Sequence, residues 1–484
     1  MSSPARIRVR FAPSPTGHLH VGGLRTALYN YLFARKHSGV CILRIEDTDR
    51  SRYIEGAVEN LLETLRWAGL EFDEGPATEG KFGPYIQSQR IELYRDHVAR
   101  LLKEKKAYRC FCTPERLEEM RRQQEKLRIP PKYDRRCLRL SESEIQNNLS
   151  ARVPSVIRMK VPEATAITFD DVIRGKVEFH SDRIDDQVLF KSDGYPTYHL
   201  ANVVDDHFME ISHVIRGEEW LSSTPKHVLL YEYLGWPLPV FAHLPLLLNP
   251  DKSKLSKRQG DVAVEEYRAK GYLPQALVNF VALLGWNPGD NREVFHIDDL
   301  VREFSLERVG KSGAVFNLEK LNWINQQHVR RLDDDKIAEM LHPLLGKAGW
   351  GSASPDYVIR VIRLMKERLT FVNDVITFGS YFFADDFTYD EKAVKINWNS
   401  ESPAHLTALL EKIEKMDNLT QVSAEEVLRQ IAEAAGVNAG EIIHAVRLAL
   451  TGVAVGPGLF ELMDVLGKES VVQRLKKALT ALAR

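Results

Sequence analysis

Two hydrophobic patterns alternate along roughly the first 90 residues. Apolar and basic residues take turns in Ile7–Phe11, which predicts a half-buried β-strand. After a turn rich in proline and glycine, the apolar residues Leu24, Ala27, Leu28 and Tyr31 recur at helical spacing. A strand at Cys41–Ile45 and a helix at about residues 55–68 repeat this order. Such alternation predicts an α/β fold with a parallel sheet and helices on both faces, where ligands bind at the carboxyl ends of strands.

The pattern changes twice further along the chain. Basic residues dominate 101–139 and strand-like segments follow, so we expect an inserted α+β domain there. Strand–helix alternation returns in Tyr198–Leu248, and the remainder has mostly helical spacing, with Ser423–Glu426 predicted to be a capping box at a helix start. The expected domains are the first half of the sheet domain (1–95), the insertion (96–197), the second half (198–255), a further domain (256–333) and two helical domains (334–385 and 386–484).

Composition and charge narrow the class of protein. Of 484 residues, 44% are hydrophobic and 27% charged, as in globular proteins of several domains. The formal net charge is −1, so a surface for nucleic acid must be a local patch. There are four cysteines, no apolar signal segment and no apolar run that could span a bilayer. We therefore expect a cytosolic protein without a disulfide scaffold or a membrane partner.

Two stretches are suited to binding phosphate. His20-Val21-Gly22-Gly23 lies where a strand passes into a helix, and free backbone N–H groups and the helix dipole attract anions there. Lys254-Leu255-Ser256-Lys257-Arg258 is a basic loop whose lysines can neutralise a triphosphate. Each stretch alone is explained as well by chance or by a solvated surface. The glycine-rich loops of other nucleotide sites, Gly-x-x-x-x-Gly-Lys-Ser/Thr and Gly-x-Gly-x-x-Gly, are absent from the sequence.

Charged residues also stand at the ends of the first two strands. Arg10 ends the first strand, and a guanidinium group is a natural receptor for a carboxylate. An ordinary edge-strand arginine is the alternative. Glu46 follows the second strand and, with Asp47 and Asp49, suits a metal or an ammonium group, although acids that cap turns are commoner.

A later helix and strand carry a similar set of polar residues. Tyr198 and Asn202 share one face of a helix, where they either line a polar pocket or form a capped surface. Arg216 and Glu219 come at the end of the following strand. We assign Asp205-Asp206-His207 to structure and not to catalysis.

The run from Arg10 to Gly23 resembles, over its whole length, the first signature of class I aminoacyl-tRNA synthetases, specifically their glutamyl and glutaminyl branch. The basic loop at 254–258 resembles the second signature. The resemblance implies that glutamate is held by Arg10, Ala12, Ser14, Glu46, Tyr198, Asn202 and Arg216. It implies that ATP is held by His20, Val21, Gly22, Gly23, Glu219, Lys254, Leu255, Ser256, Lys257 and Arg258, with His20 and Lys257 acting in catalysis. By the same resemblance, Arg10 selects glutamate over glutamine through the γ-carboxylate.

The resemblance covers nearly the whole chain and extends to partners. Phe316–Asn325 resembles the family's stem-contact segment, and Arg447–Gly452 and Gly456–Gly458 resemble its C-terminal helical motifs. A helical C-terminal half is typical of bacterial or organellar glutamyl enzymes, since glutaminyl enzymes end in β-barrels. The resemblance implies a monomer that activates glutamate with ATP and Mg²⁺ and transfers it to tRNA-Glu, with tRNA-Gln left open. The insertion would then bind the acceptor end, the domain at 256–333 the stem, and the two helical domains the anticodon.

Two other functions fit parts of the pattern. A small-metabolite nucleotidyltransferase would share the nucleotide fold but would not need the long helical C-terminal half. An inactive RNA-binding relative is expected to have lost His20 or Lys257, and both are present.

Three of the four cysteines are clustered in the basic region. Cys110, Cys112 and Cys137 resemble the zinc site of some family members, and zinc requires four ligands. Where some glutamyl enzymes have a histidine ligand, this chain has Arg139, which cannot bind a metal. Tyr133 matches the spacing of a tyrosine ligand in glutamyl-queuosine relatives. On the sequence alone, three reduced cysteines without a metal are the favoured interpretation.

Overall fold

Two structural units divide the chain, residues 1–321 and residues 322–484. The computed structural model describes residues 6–255 and 262–482. The strands, in chain order, are β1 (Arg8–Phe11), β2 (Val40–Leu43), β3 (Ala107–Cys110), β4 (Val156–Met159), β5 (Ala166–Asp171), β6 (Gly175–His180), β7 (Val188–Phe190), β8 (His213–Gly217), β9 (Val240–Leu244), β10 (Leu247–Leu248) and β11 (Ala314–Val315). Within the described ranges, no helix has the length and apolar character needed to cross a bilayer.

The helices that begin before residue 322 are α1 (Val21–Lys36), α2 (Ala57–Trp67), α3 (Ile91–Lys103), α4 (Pro114–Lys126), α5 (Glu142–Ser150), α6 (Tyr198–Phe208), α7 (Thr224–Leu234), α8 (Val264–Ala269), α9 (Pro274–Ala282), α10 (Ile297–Glu303) and α11 (Leu318–Arg331). Those that follow are α12 (Asp334–Lys347), α13 (Pro355–Met365), α14 (Asp374–Thr377), α15 (Glu391–Asn397), α16 (Ser402–Glu414), α17 (Gln421–Ala435), α18 (Ala439–Thr451) and α19 (Leu459–Ala481).

The predicted parallel sheet is present in the first unit and is built from distant segments. Strands β5, β9 and β8 lie side by side in parallel, and β6 is antiparallel to β5 at the edge. Strands β1 and β2 pair in parallel, and the Ser212 N–H donates to the Arg8 carbonyl at 2.9 Å, which places β1 beside β8. The carboxyl ends of β1, β2 and β8 therefore meet at one edge, where the polar residues singled out in the sequence are found.

The prediction that β1 is half-buried is wrong, because all four of its residues are buried. Arg8 and Arg10, which a half-buried strand would place on its exposed face, instead each pair with a buried carboxylate. Arg8 forms a bidentate pair with Glu74, and Arg10 does so with Asp206. An alternating pattern cannot distinguish a solvated arginine from one whose charge is matched inside the protein.

Residues 96–197 do not form one separate layer. Strands β3, β4 and β7 make an antiparallel sheet of their own, accompanied by α4 and α5. Strand β5, which forms a hairpin with β6, however pairs with β9, so this hairpin belongs to the sheet that contains β8 and β9. The chain therefore returns to that sheet earlier than the sequence predicted. The alternation of apolar and polar residues in β5 would be the same in either sheet, so the sequence could not show which sheet β5 joins.

The second unit is helical, as its spacing predicts. Helices α16, α17, α18 and α19 pack on one another around a core that includes Leu409, Leu428 and Leu475. The capping box predicted at Ser423–Glu426 is displaced: Thr420 is the N-cap residue of α17, and Ser423 occupies the third helical position. Both residues are suitable caps, and tertiary packing decides which one begins the helix.

Candidate active site

A cavity of about 530 Å³ opens at the carboxyl ends of β1, β2 and β8. Every residue that the resemblance assigns to glutamate lines it: Arg10, Ala12, Ser14, Glu46, Tyr198, Asn202 and Arg216. Gly22, Gly23 and Glu219, assigned to ATP, line it as well. Residues separated by more than two hundred positions are thus brought to a single site, the position where open α/β sheets bind their ligands.

The turn between β1 and α1 places the first turn of α1 at this cavity, which Gly22 and Gly23 line. Gly17 has a φ of +128°, a backbone conformation that residues with a side chain rarely adopt, so glycine is needed in the turn. His20 is the N-cap residue of α1, and its Nδ1 accepts a hydrogen bond from the Gly22 N–H at 2.9 Å. That bond fixes the ring beside the first turn of α1, where the helix dipole favours an anion such as a phosphate.

The second phosphate-binding stretch is described in part. Lys254 is exposed, and its backbone forms an isolated antiparallel β-bridge with Leu248. The Leu255 N–H donates to the Leu247 carbonyl at 2.9 Å. Ser256, Lys257 and Arg258 lie outside the described residues. Where the description resumes, the Val21 N–H donates to the Val262 carbonyl at 2.8 Å, so the segment that follows lies against the His20 turn.

One side of the cavity is built on a buried network of opposite charges. Arg10 donates from Nε and Nη2 to the two carboxylate oxygens of Asp206, at 2.9 and 3.2 Å, and from Nη2 to Asn202 at 3.1 Å. Arg44 is completely buried and donates to Asp206 at 2.7 Å and to Glu46 at 3.0 Å. Burial alone would raise the pKa of Asp206, but the Arg10 and Arg44 guanidinium groups outweigh it and lower this pKa.

Glu46 differs from the other acids of this network. Its loss of hydration on burial raises the pKa of its carboxyl group to about 7, although Arg44 and Arg10 oppose the shift. The carboxyl group is therefore close to half-ionised near neutrality. A cation placed beside it would favour the ionised form, which suits the role of an ammonium receptor expected from the sequence.

Arg216, on the other side of the cavity, has only neutral partners among the residues that the structure describes. Its guanidinium donates to His243 Nε2 at 3.1 Å, to the Tyr198 hydroxyl at 2.9 Å and to Thr224 Oγ1 at 2.9 Å. A fourth contact, of 3.3 Å, joins it to Nδ1 of His227. Burial lowers the pKa of His243 and lowers that of His227 well below its ordinary value, so both rings are neutral near pH 7. The positive charge of Arg216 thus faces the cavity without a paired carboxylate.

Tyr198 is held in a form that can donate to a ligand. Burial raises the pKa of its hydroxyl group, so it keeps its proton near neutrality. Because its oxygen accepts from Arg216, its own hydrogen is free to point elsewhere. Its ring also packs against Trp220, with ring centroids 4.3 Å apart, which fixes its position at the cavity wall.

The sequence analysis missed several residues that shape the site. Arg44 stood inside an apolar strand pattern, and Thr224, His227 and His243 carried no motif. Asp206 was assigned to structure, and it is buried as a structural residue would be, but it directly holds Arg10. A signal was available for Asp206, since it follows Asn202 by four residues and therefore lies on the same face of α6.

The two acids after β8 have different roles. Glu218 accepts from the Leu246 N–H at 2.8 Å and pairs with Arg174 at 2.6 Å, so it connects neighbouring segments. Glu219 is exposed and lines the cavity, as expected for a residue near ATP.

The cysteine cluster of the insertion has the geometry of a metal site. The Sγ atoms of Cys110, Cys112 and Cys137 lie within 4.8 Å of one another, and the Tyr133 hydroxyl is 3.3 Å from the sulfurs of both Cys110 and Cys112. Sulfurs bound to one tetrahedral zinc at about 2.3 Å are about 3.8 Å apart, and Cys112 and Cys137 are 3.5 Å apart here. The Tyr133 hydroxyl can therefore act as the fourth ligand, a role that Arg139 cannot fill.

The C-terminal unit contains a cavity of its own, of about 850 Å³. Arg368 and Lys392 contribute positive charge to its lining. Phe378, Ile396 and Val455 are 65%, 80% and 82% exposed at this cavity. Unstacked nucleobases stack on exposed aromatic side chains, and nearby cations attract the phosphates. The lining of this cavity is therefore suitable for binding single-stranded RNA.

Comparison with known proteins agrees with this geometry. Residues 6–323 match the family profile described as the catalytic domain of class I tRNA synthetases (E and Q), and residues 336–479 match an anticodon binding domain. The glutamate–tRNA ligase of Chloroherpeton thalassium is 53% identical, over 99% of this chain and 99% of its own length. The corresponding ligase of Chlorobium luteolum is 51% identical, over 98% of this chain and 97% of its own length.

A solved structure is similar over the same extent. The crystal structure of a glutamate tRNA ligase from Elizabethkingia meningosepticum, in complex with its amino acid, has a TM-score of 0.93 at 42% identity and covers 99% of this chain and 100% of that one. Its similarity spans both the sheet with its polar cavity and the helical C-terminal unit. The chain belongs to the glutamate and glutamine (E and Q) branch of the class I tRNA synthetases.

Proposed function

We propose that this chain is a glutamate–tRNA ligase that activates L-glutamate with ATP and transfers it to the terminal adenosine of tRNA-Glu. The observation that carries the proposal is the cavity at the sheet edge, which is lined both by the first turn of α1 and by Arg216, an arginine without an acidic partner in the described part of the chain. The relatives that match nearly the whole chain bear the same name. Glutamate brings two carboxylates and one ammonium group, and the cavity offers a receptor for each.

The charges of the cavity suggest how glutamate is oriented. Glu46 and Arg10 belong to one network through Arg44 and Asp206, so the α-ammonium and α-carboxylate fit that side. Arg216 remains for the side-chain carboxylate, since its charge has no acidic partner. This assignment differs from the expectation that Arg10 selects glutamate, because Asp206 already neutralises Arg10.

Glutamine in this orientation would leave Arg216 buried without a counter-charge. A site built to pair a buried charge rejects the uncharged analogue strongly, because desolvation of the charge is then not compensated. Tyr198 would donate its free hydroxyl hydrogen to the same side-chain oxygen that meets Arg216. Discrimination between the two amino acids would therefore be electrostatic and would not rest on size.

The adenylation step needs positioning and charge stabilisation, not a covalent nucleophile. The α-carboxylate of glutamate attacks the α-phosphate of ATP, and pyrophosphate leaves. Mg²⁺, when bound to the phosphates, would neutralise part of their charge. His20 and the backbone N–H group of Gly23 would hold phosphate oxygens at the start of α1, and Lys257 would neutralise charge on the pentavalent phosphate. The 2′-hydroxyl of the terminal adenosine then attacks the carbonyl carbon and releases AMP.

The remaining parts of the chain would bind tRNA. We assign the acceptor end to the insertion at 96–197, the stem to 256–333, and the anticodon to the helical domains at 334–385 and 386–484. The match of residues 336–479 to an anticodon binding domain supports the last assignment, as do the exposed Phe378 and the basic Arg368 at the second cavity.

We also propose a structural zinc ion held by Cys110, Cys112, Tyr133 and Cys137. The sulfur and phenol oxygen positions fit a tetrahedral donor set. Bound zinc would fix the ends of the basic α4 region against β3.

ATP–pyrophosphate exchange and tRNA aminoacylation, measured with glutamate and with glutamine, test the function. We expect both activities with glutamate when tRNA-Glu is present, and almost none with glutamine. Exchange without any aminoacylation would indicate a nucleotidyltransferase instead. Binding of tRNA without exchange would indicate an RNA-binding protein without activity.

A further inference from the structure

We propose that the buried pair Asp171–His243 is a positioning device that holds the Arg216 guanidinium towards the amino-acid cavity without neutralising it, and that the pair thereby sets the discrimination between glutamate and glutamine. The inference rests on the proposed function and names residues that act on the substrate only through Arg216. Neither Asp171 nor His243 lines the cavity.

The pair is buried beneath Arg216 at the edge of the sheet. The side chains of Asp171 and His243 are both 0% exposed, and Nδ1 of His243 is 2.6 Å from the Asp171 carboxylate. The opposite ring nitrogen, Nε2, accepts from Arg216 Nε at 3.1 Å. A linear series of contacts therefore runs from a carboxylate, through an imidazole, to the guanidinium.

This arrangement determines where the imidazole carries its proton. Arg216 Nε can only donate, so Nε2 of His243 must be the unprotonated nitrogen. The proton is then on Nδ1, where Asp171 accepts it. Asp171 thus selects the tautomer of His243 that accepts from Arg216, in the way that a carboxylate behind a histidine fixes its tautomer in other sites.

Asp171 is itself held rigidly. Its Oδ1 accepts from the backbone N–H groups of Ile173 at 3.0 Å and Arg174 at 2.8 Å. Its Oδ2 accepts from the backbone N–H group of His243 at 3.1 Å. Asp171 ends β5, the strand that pairs with β9, which carries His243. The hairpin of β5 and β6 therefore has a function at the site in addition to completing the sheet.

The alternative to an imidazole at this position would be a carboxylate, the usual partner of a buried arginine. A carboxylate in direct contact would neutralise Arg216, as Asp206 neutralises Arg10. The imidazole separates the carboxylate from Arg216 while preserving a directional hydrogen bond. His227 and Thr224 supply neutral acceptors on the other sides of the guanidinium, at 3.3 and 2.9 Å. The charge of Arg216 is thus oriented but left for a ligand.

Three variants separate this role from simple packing. In Asp171→Asn, the backbone N–H groups of Ile173 and Arg174 will keep the side-chain oxygen of the asparagine as their acceptor. The –NH₂ group of the asparagine then faces Nδ1 of His243, which must become the unprotonated nitrogen. The imidazole proton moves to Nε2, where it opposes the Nε–H of Arg216. His243→Leu removes the acceptor, whereas His243→Gln can retain one. His213→Gln is the matched control, because His213 is on the same strand as Arg216 and its ring contacts Ser212.

The assay is aminoacylation with glutamate and glutamine, with calorimetric titration of glutamate onto each full-length variant. We expect Asp171→Asn and His243→Leu to raise the KM and Kd for glutamate about tenfold or more, the usual effect of losing a hydrogen bond to a charged group. The ratio of kcat/KM for glutamate to that for glutamine should fall by a similar factor. The KM for ATP should change less than about threefold, a separation that general unfolding would not produce. His243→Gln and His213→Gln should stay within about threefold of the wild type.

Contrary results are as definite. Folded Asp171→Asn and His243→Leu proteins with wild-type discrimination would overturn the proposal, as would a His243→Gln variant that is as impaired as His243→Leu. If Asp171→Asn does not fold, the comparison of His243→Gln with His243→Leu decides. A wild-type protein that binds glutamate but does not charge tRNA would contradict the proposed function alone, and the calorimetric values would still test the pair. A wild-type protein that does not bind glutamate would overturn both.

Discussion

The pH dependence of glutamate use follows from the burial of Glu46. Its pKa is raised from an ordinary value of 4.5 to about 7, because burial removes water from the carboxylate and Arg44 only partly compensates. The shift corresponds to about 3 kcal/mol of penalty for ionising Glu46 in the folded protein. If Glu46 receives the α-ammonium of glutamate, only its ionised form binds well.

The sign and size of the effect can be worked out from this pKa. The ionised fraction of Glu46 rises from about 10% at pH 6 to about 90% at pH 8. Since kcat/KM reports the ionisation of the free enzyme, kcat/KM for glutamate should increase about tenfold over that interval. The stability contribution of this group has the opposite sign, because a raised pKa stabilises the folded state below pH 4.5 and that contribution is lost as the pH rises through about 7.

The measurement is aminoacylation at saturating ATP and tRNA, with glutamate varied at each pH from 6 to 8. Glu46→Gln is the informative variant, because it is nearly isosteric and does not titrate. We expect a weak but pH-independent kcat/KM from Glu46→Gln, and an unchanged profile of the KM for ATP in both proteins. A wild-type kcat/KM that changes less than twofold, or a Glu46→Gln profile that matches the wild type, would refute the assignment.

Four further predictions follow. Lys257→Ala should reduce ATP–pyrophosphate exchange about a hundredfold or more while leaving tRNA binding nearly intact in a filter assay; exchange within a few-fold of the wild type contradicts it. Arg216→Leu should lower the glutamate-to-glutamine ratio of kcat/KM by more than Arg10→Leu does, each truncation costing roughly 2–5 kcal/mol in binding, and the reverse order would restore Arg10 as the selector. Purified protein should contain one zinc per chain by mass spectrometry, and Cys137→Ser should lose it; a wild-type protein prepared without chelators and free of zinc rules the site out. Exchange should require tRNA-Glu in nuclease-treated enzyme, with a steep salt dependence; full tRNA-independent exchange excludes the coupling.

The parts of the site that depend only on the backbone conformation of a few neighbouring residues could be predicted from the sequence. The turn before α1 was predictable because proline and glycine each impose a known geometry over a few residues. Tyr198 and Asn202 were predictable as a pair because they lie one helical turn apart. The resemblance to a family then assigned roles to Arg10, Glu46 and Arg216, which pattern alone left open.

The supporting contacts were not predictable in the same way. Arg44 looked like an exception in an apolar strand, and only its contacts with Asp206 and Glu46 show why a charge can be buried there. Asp171 and His243 are 72 positions apart, and neither belongs to a motif. Such pairs depend on which strands become neighbours in the sheet, and the return of β5 to the catalytic sheet was itself not foreseen.

The charges around the cavity explain why so many of the unforeseen residues are ionisable. On one side, the guanidinium groups of Arg10, Arg44 and Arg90 are matched by the carboxylates of Asp205, Asp206 and Glu46 through contacts of 2.7 to 3.0 Å. A matched cluster can be buried without an excess charge, so it supplies rigid donors at moderate electrostatic cost. On the other side, Arg216 is surrounded by neutral groups and keeps one positive charge. The side-chain carboxylate of glutamate can pair with the charge of Arg216, whereas glutamine would leave that charge buried and unmatched.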